Sequence, residues 1–222
     1  MIYRLSDGHF GFPPAEEADE EYEGLLAVGG GYEPDRLLNA YASGIFPWPV
    51  DAGKDITWFS PDPRFVLKPE DFHIPKSLVK TLRKGLFDFR IDTAFAEVIH
   101  ACASVPHPGQ DGTWITAELE KGYCELNRHD FAHSFEAWQD GRLVGGFYGV
   151  ALGKCFFGES MFARVPDASK CAFANFASWM FDQGVPWIDC QVRTDHLARF
   201  GAKEIPRSEY LRMLSSALGA PA

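Results

Sequence analysis

The sequence predicts an α+β chain in which a small N-terminal module precedes a larger one built on a central mixed, mostly antiparallel sheet. Three observations carry this. Residues 1–69 are crowded with Pro, Gly and aromatic residues, whereas residues 70–222 contain long periodic segments. Two turn signals, Asp140-Gly141 and Gly153-Lys154, join three strand-like runs as successive hairpins. A helix-like stretch then leads to the strand-like "WIDCQV", a connection long enough to bring the chain back roughly parallel to the last hairpin strand.

In the first module one helix is expected from Pro34 to Ser43, with Pro in its first turn and Gly44 just past its end. "GIFPWPV" and "TWFSPDPR" hold too many prolines for inner strands and are expected to be ordered loops that hold aromatic side chains. In the second module "IPKSLVKTLRKG" reads as an amphipathic helix from Pro75. Leu78, Val79, Leu82 and Leu86 turn inward, and Lys76, Lys80, Arg83 and Lys84 form a basic outer face. A helix follows Asp92. Another follows Thr116 as N-cap, with Glu118 and Glu120 near the positive end of its dipole.

The strands "AHSFEAWQ", "RLVGGFYGVAL" and "CFFGESMF" come next, then a helix from Ala168 to Phe181 with Phe173, Phe176 and Met180 inward, ending before Gly184. In "WIDCQV", alternation puts Ile188, Cys190 and Val192 on one face and Asp189, Gln191 and Arg193 on the other. That polar row is either a wet sheet face or a site. "DHLARFGA" supplies a short helix and "EIPRSEYLRML" closes the chain.

With 222 residues, 46% hydrophobic and 23% charged, the chain lies in the ordinary range for a soluble globular protein. Its apolar runs are too short or interrupted to span a bilayer, and the N-terminus lacks a basic-then-apolar leader, so a cytoplasmic location is expected. Five scattered cysteines without a C-x-x-C pair read as reduced, mostly buried thiols. The formal charge of −10 opposes nonspecific binding to nucleic acid, so any such site must be a local patch.

Several chemistries are excluded by pattern. Gly29–Gly31 is followed by no G-K-[ST] and reads as a turn, and "GESMF" lacks the second Gly of a nucleophile elbow. The seven histidines contain no metal-ligand pair; His133 reads as a hydrogen-bonded structural residue, and no metal is expected. Glu159, set in an apolar strand, needs a partner if buried. It is either ion-paired with a core Arg or part of a site with the polar row. The basic helix is by default a solvated face, but four cations on one side of so acidic a chain also suit a patch. Trp48, Trp58 and Trp114 are by default packing residues. Those in "FPWP" and "DGTWI" are also placed to stack on a base.

The stretches "GLLAVGGGYEPDRLLNAYASGIFPW", "WFSPDPRFVL", "TWI", "AHSFEAWQDGRLVGGFYGV", "FFGESMF", "ASK" and "IDCQ…H…GAKEIPR" run in order from Gly24 to Arg207. Together they resemble the leucyl/phenylalanyl-tRNA protein transferase family. The resemblance implies a small N-terminal domain (1–69) and a GNAT-like acyltransferase domain (70–222) that uses aminoacyl-tRNA instead of acetyl-CoA. The implied reaction moves leucine or phenylalanine to the α-amino group of proteins beginning with Lys or Arg and so marks them for degradation, with no cofactor, membrane or DNA involved. The segment "ARVPDASK" agrees independently, because it enters its helix without the glycine turn that a CoA pyrophosphate needs.

By the same resemblance Trp48 and Trp114 hold the terminal adenosine, and Phe147, Phe156 and Met161 shape the aminoacyl pocket. Glu159 orients the reacting groups, Asp189 and Gln191 sit at the reaction centre, and Lys76, Lys80, Arg83 and Lys84 touch the tRNA backbone. Gln191, oriented by Asp189, is expected to accept a hydrogen bond from the attacking amine. The chain departs from the family in "GGGY" for "GGDL", in "FHIPKS" for "FHxSRS", and in Phe147 where Met is common, which leaves the Leu-versus-Phe preference open. The alternatives are a noncatalytic RNA-binding module of the same fold and a transferase with altered amino-acid or acceptor choice.

Overall fold

The computed structural model describes residues 1–6, 8–49, 55–105 and 115–219. Among these, the N-terminal part forms β1 (Tyr3–Leu5), β2 (Leu25–Gly29), helix α1 (Pro34–Ala42), β3 (Phe46–Pro47) and β4 (Thr57–Phe59). The strands make a four-stranded sheet in the order β1-β2-β4-β3. The two proline-rich stretches therefore contain short strands, β4 an inner one, where loops were expected. The reason is local: β4 ends before Pro61 and Pro63, and Pro47 lies on the edge strand β3, where a missing N–H breaks no inner ladder. Trp58 is fully buried there and its indole N–H donates to the Gly29 carbonyl at 2.9 Å, so this Trp is a core residue.

The rest of the chain supplies β5 (Arg64–Leu67), α2 (Lys76–Leu82), β6 (Asp88–Ile91), α3 (Phe95–Ser104), α4 (Ala117–Arg128), β7 (Ala132–Gln139), β8 (Arg142–Leu152) and β9 (Cys155–Ala163). Then come α5 (Ala168–Asp182), β10 (Ile188–Asp189), α6 (Asp195–Ala198), β11 (Lys203–Ile205) and α7 (Arg207–Ala217). The larger sheet has seven strands among the described residues, in the order β11-β5-β10-β9-β8-β7-β6. Its pairs are antiparallel except β9 with β10, which gives the mixed, mostly antiparallel α+β architecture expected from sequence.

The sheet has an apolar layer on each face. Helices α1, α3 and α4 cover one side, and their cluster includes Leu37, Val98, Leu119, Tyr148 and Phe157. On the other side α5 packs Phe173 and Phe176 against Phe135, Phe147 and Phe156. The Phe147 ring lies 5.1 Å from that of Phe176 and 5.6 Å from that of Phe173, tilted edge-on, a geometry that adds about 0.5–1.5 kcal/mol per pair beyond area burial. Thr116 caps α4 by accepting from the Leu119 N–H at 3.2 Å, which stabilises the helix by about 1 kcal/mol.

Helix α2 is shorter than its sequence pattern. Leu86 is 45% exposed rather than inward, because the chain closes in a turn at Gly85 (φ +60°), whose N–H bonds the Leu82 carbonyl at 3.0 Å. Arg83 thus caps the helix and Lys84 follows it. His133 is the hydrogen-bonded structural residue expected, its Nδ1 2.7 Å from Asp92, which raises its pKa. All five cysteines are free thiols, four of them buried. Among the described residues no helix is long and apolar enough to cross a membrane.

Candidate active site

Two irregularities in neighbouring strands create the site. In β9 the register with β8 shifts: Tyr148 faces Ser160 and Gly149 faces Gly158, which leaves Glu159 as the extra residue of a β-bulge. Phe157, Glu159 and Ser160 consequently point to the α1/α3/α4 side, while Phe156 and Met161 point to the α5 side. The second irregularity is the brevity of the parallel pair. Strands β9 and β10 pair only through Phe156–Ile188 and Phe157–Asp189, and beyond that point the sheet opens.

Glu159 projects at this opening. Its Oε1 accepts from the Tyr41 hydroxyl at 2.7 Å and from the Gln191 amide Nε2 at 2.6 Å, and its Oε2 accepts from the Tyr123 hydroxyl at 2.8 Å. The two phenols also touch each other. Burial pushes the Glu159 carboxyl up to about 7; the three donors pull it down without offsetting the lost hydration, and the Asp189 charge adds to the rise. Burial, reinforced by Glu159, drives both phenols well above their usual range, so they remain donors. Among the described residues no three His, Cys, Asp or Glu side chains converge as a metal-ligand set.

The alternation expected in "WIDCQV" holds as far as Gln191 and breaks at Val192. Strand β10 ends at Asp189, and Gln191 takes a left-handed conformation (φ +60°) that costs a non-Gly residue about 1 kcal/mol or more. The cause is the Asp189 side chain: its Oδ1 accepts the Gln191 backbone N–H at 2.8 Å and curls the chain out of the strand. Ile188 and Cys190 stay in the α5-side cluster, whereas Val192 packs on the opposite one. Asp189 and Gln191 therefore share the face opposite Ile188 and Cys190, as alternation gives, but turn to different partners. The Asp189 carboxylate turns to Arg64, with Nε–Oδ1 3.0 Å and Nη2–Oδ2 2.6 Å, and to the Tyr210 hydroxyl at 2.8 Å. Arg64 and Asp189 are both 0% exposed. A core arginine exists, as one reading of Glu159 required, but its partner is Asp189, and Glu159 is held by neutral donors.

The other expected residues are distributed as follows. Phe147 and Phe156 are buried in the α5-side aromatic cluster, and Met161, directly opposite Phe147 in register, is partly exposed beside them. Lys76, Lys80, Arg83 and Lys84 are all exposed. Trp48 is partly exposed, its ring 5.9 Å from Phe59 and 6.4 Å from Phe46; Trp114 lies outside the described residues. Tyr41, Tyr123, Arg64 and Tyr210 escaped sequence reasoning. A signal was present for the first two. Tyr41 follows Leu37 at helical spacing, and Tyr123 sits between Leu119 and Leu126, so each hydroxyl was headed into a core where it needs a partner.

A carboxyl raised to about 7 can exchange a proton near neutral pH. Residues 66–215 match the sequence profile described as leucyl/phenylalanyl-tRNA protein transferase, and residues 30–62 match that of its N-terminal domain. A leucyl/phenylalanyl-tRNA–protein transferase of Anaeromyxobacter dehalogenans (strain 2CP-C) is 57% identical over 201 residues, 90% of this chain and 86% of the relative. Another from Myxococcus xanthus (strain DK1622) is 54% identical over 221 residues, 99% and 93% of the two chains. Among solved structures, an aminoglycoside N-acetyltransferase in complex with CoA is a loose likeness, with TM-score 0.34 and 19% identity over 61% of this chain and 88% of its own. The class is that of the aminoacyltransferases. The chain belongs to the leucyl/phenylalanyl-tRNA–protein transferase family.

Proposed function

We propose that this chain moves leucine or phenylalanine from aminoacyl-tRNA to the α-amino group of proteins that begin with Lys or Arg, in the cytoplasm, and thereby marks them for degradation. The observation that carries the mechanism is the Glu159–Gln191 contact of 2.6 Å at the opening of the sheet. The donor is an already activated ester, so the acceptor nitrogen attacks the carbonyl directly, the bond to the ribose oxygen breaks, and no covalent enzyme intermediate is needed. With its NH₂ committed to Glu159, the Gln191 amide presents its oxygen as an acceptor for the incoming amine. An amide oxygen is a very poor base. Glu159, near neutrality, takes the proton that the amine loses and returns it to the leaving ribose oxygen, so the carboxylate is regenerated.

A transfer assay with labelled Leu-tRNA and Phe-tRNA and peptides starting with Lys, Arg, Ala or Glu tests this reading. Transfer of both amino acids to the Lys and Arg peptides is expected. Binding of tRNA without transfer favours the noncatalytic module, and transfer to the other peptides favours altered acceptor choice.

Two further expectations concern the donor. The exposed cations Lys76, Lys80, Arg83 and Lys84 are proposed to neutralise about three or four phosphates. Neutralising Lys80, Arg83 and Lys84 together should flatten the salt dependence of tRNA affinity and leave transfer from a 3′-aminoacyl-adenosine analogue nearly unchanged. Equal losses with both donors would mean that the segment acts through structure. Trp48, with part of its ring open beside Phe59, is proposed to stack on the terminal adenine together with Trp114. Trp48→Ala should weaken donor binding by roughly 1–3 kcal/mol, the minimal donor included; a destabilised fold with normal donor affinity would identify Trp48 as a packing residue.

A further inference from the structure

We propose that Arg64 is a positioning residue that sets the reaction centre by holding, with one guanidinium, the two backbone segments that deliver Tyr41 and Gln191 to the same oxygen of Glu159. This rests on the reading of Glu159 and Gln191 given above. One arm runs through Nη1, which donates to the Gly44 carbonyl at 3.2 Å. Gly44 ends α1: its N–H bonds the Tyr41 carbonyl at 3.0 Å, and the Ser60 hydroxyl adds a second donor to its carbonyl at 3.1 Å. Gly44 also has φ +75°, and a Cβ there would come within 2.6 Å of the Leu211 side chain, so the contact with Arg64 is made at a backbone position with no room to shift towards α7.

The other arm runs through Nε and Nη2 to Asp189, whose Oδ1 fixes the Gln191 N–H at 2.8 Å. Strand β5 supports the same turn, since Phe65 N–H donates to the Gln191 carbonyl at 3.1 Å and the Phe65 carbonyl accepts from Cys190 at 2.9 Å. The arms meet again at Glu159 Oε1, reached by Tyr41 at 2.7 Å and by Gln191 at 2.6 Å. Arg64, Gly44, Tyr41, Glu159, Gln191 and Asp189 thus form a closed ring of contacts.

The residue type matters. The guanidinium lies between the rings of Phe46 and Tyr210, 4.7 and 4.5 Å from their centroids, and only a rigid planar fork satisfies a bidentate carboxylate on one edge and a carbonyl on the other. Burial works against its charge, but Asp189 opposite and Tyr210 raise its pKa overall, so the cation is permanent.

Arg64→Lys keeps the charge beside Asp189 but cannot hold both arms. Its kcat is expected to fall on the order of 10–100-fold, the scale of a misplacement of about 1 Å, with KM for aminoacyl-tRNA within about twofold of wild type. The acidic limb of the pH profile should shift as well, because the donors around Glu159 loosen. Tyr210→Phe keeps the ring and removes only the hydroxyl that donates to Asp189, so it is the variant safe for folding. For this variant kcat should fall about three- to tenfold at unchanged KM, the worth of one hydrogen bond. Wild-type kcat and pH profile in folded Arg64→Lys overturn the inference, as do wild-type values in Tyr210→Phe if Arg64→Lys does not fold. Gln191→Ala separates the two levels: near-normal turnover there defeats the reading of the centre itself. Loss there with no loss in the Arg64 and Tyr210 variants defeats only the positioning role.

Discussion

Gln191→Ala and Glu159→Gln are each expected to cut turnover on the order of 10²–10⁴-fold, the range for positioned proton-transfer groups, with the lower end favoured by the intrinsic reactivity of the ester. Neither change should unfold the protein. Both side chains meet across an opening in the sheet and leave the two apolar clusters intact. The double variant should lose little more than the worse single one if, as proposed, the amide that holds the amine works only with the carboxyl that takes its proton. Cys190→Ala is the internal control. Its thiol packs in the α5-side cluster and should cost some stability but little rate. Single-turnover transfer at saturating donor measures the losses. Near-normal rates in folded Gln191→Ala and Glu159→Gln would move the chemistry to the tRNA's own ribose hydroxyl.

The second large effect is on pH dependence. With Glu159 raised to about 7, turnover should fall about tenfold for each pH unit below that value as the carboxyl fills with its proton. Stability should move the other way. The folded pKa lies above the ordinary 4.5, so the native state binds the proton more tightly than the unfolded chain. The stabilisation this provides is complete below about 4.5 and is lost as pH rises through about 7. Glu159→Gln removes the titration, so its stability relative to wild type should increase between those limits and stay level above them. Urea unfolding of both proteins at pH 5 and pH 8 checks this; a constant difference would mean that Glu159 is not held near neutrality. The same substitution is thus expected to abolish most activity and to relieve the fold at neutral pH, as for a group kept in an unfavourable environment for its chemistry.

Much of the architecture was legible because it is written locally. Asp140-Gly141 and Gly153-Lys154 specify their hairpins through backbone conformations few other pairs adopt, and Thr116 announces its helix by a cap. The site was legible only in part. Glu159 stood out as a carboxyl in an apolar strand, but its partners come from Tyr41, Tyr123 and Gln191, 118, 36 and 32 residues away in sequence, and no local pattern joins them. The reading of "WIDCQV" held as far as Gln191 and broke at Val192 for a definite reason. Periodicity assumes that a strand continues while its residues alternate, whereas Asp189 ends this one by capturing the N–H two residues on. A core arginine was anticipated as one of two readings of Glu159; it exists but pairs with Asp189, because pairing across a sheet depends on strand order, which alternation does not encode.

The extra residue at Glu159 makes β9 a strand with a change of phase. Before it, even-numbered residues look towards α5; after it, odd-numbered ones do, as Phe156 and Met161 show. The change of phase lies in the numbering alone: partners on β8 and β9 share a face on both sides of the bulge, and Glu159 is an addition to an otherwise regular ladder. Loss of Glu159 would leave Gly158–Gly149 and Ser160–Tyr148 as successive pairs of a regular ladder, so Met161 and Phe162 would keep their faces and the strand would lose only its carboxyl. Insertions and deletions should accumulate at the Gly141 and Gly153 hairpin tips instead, where a change of length leaves the phase of both flanking strands untouched.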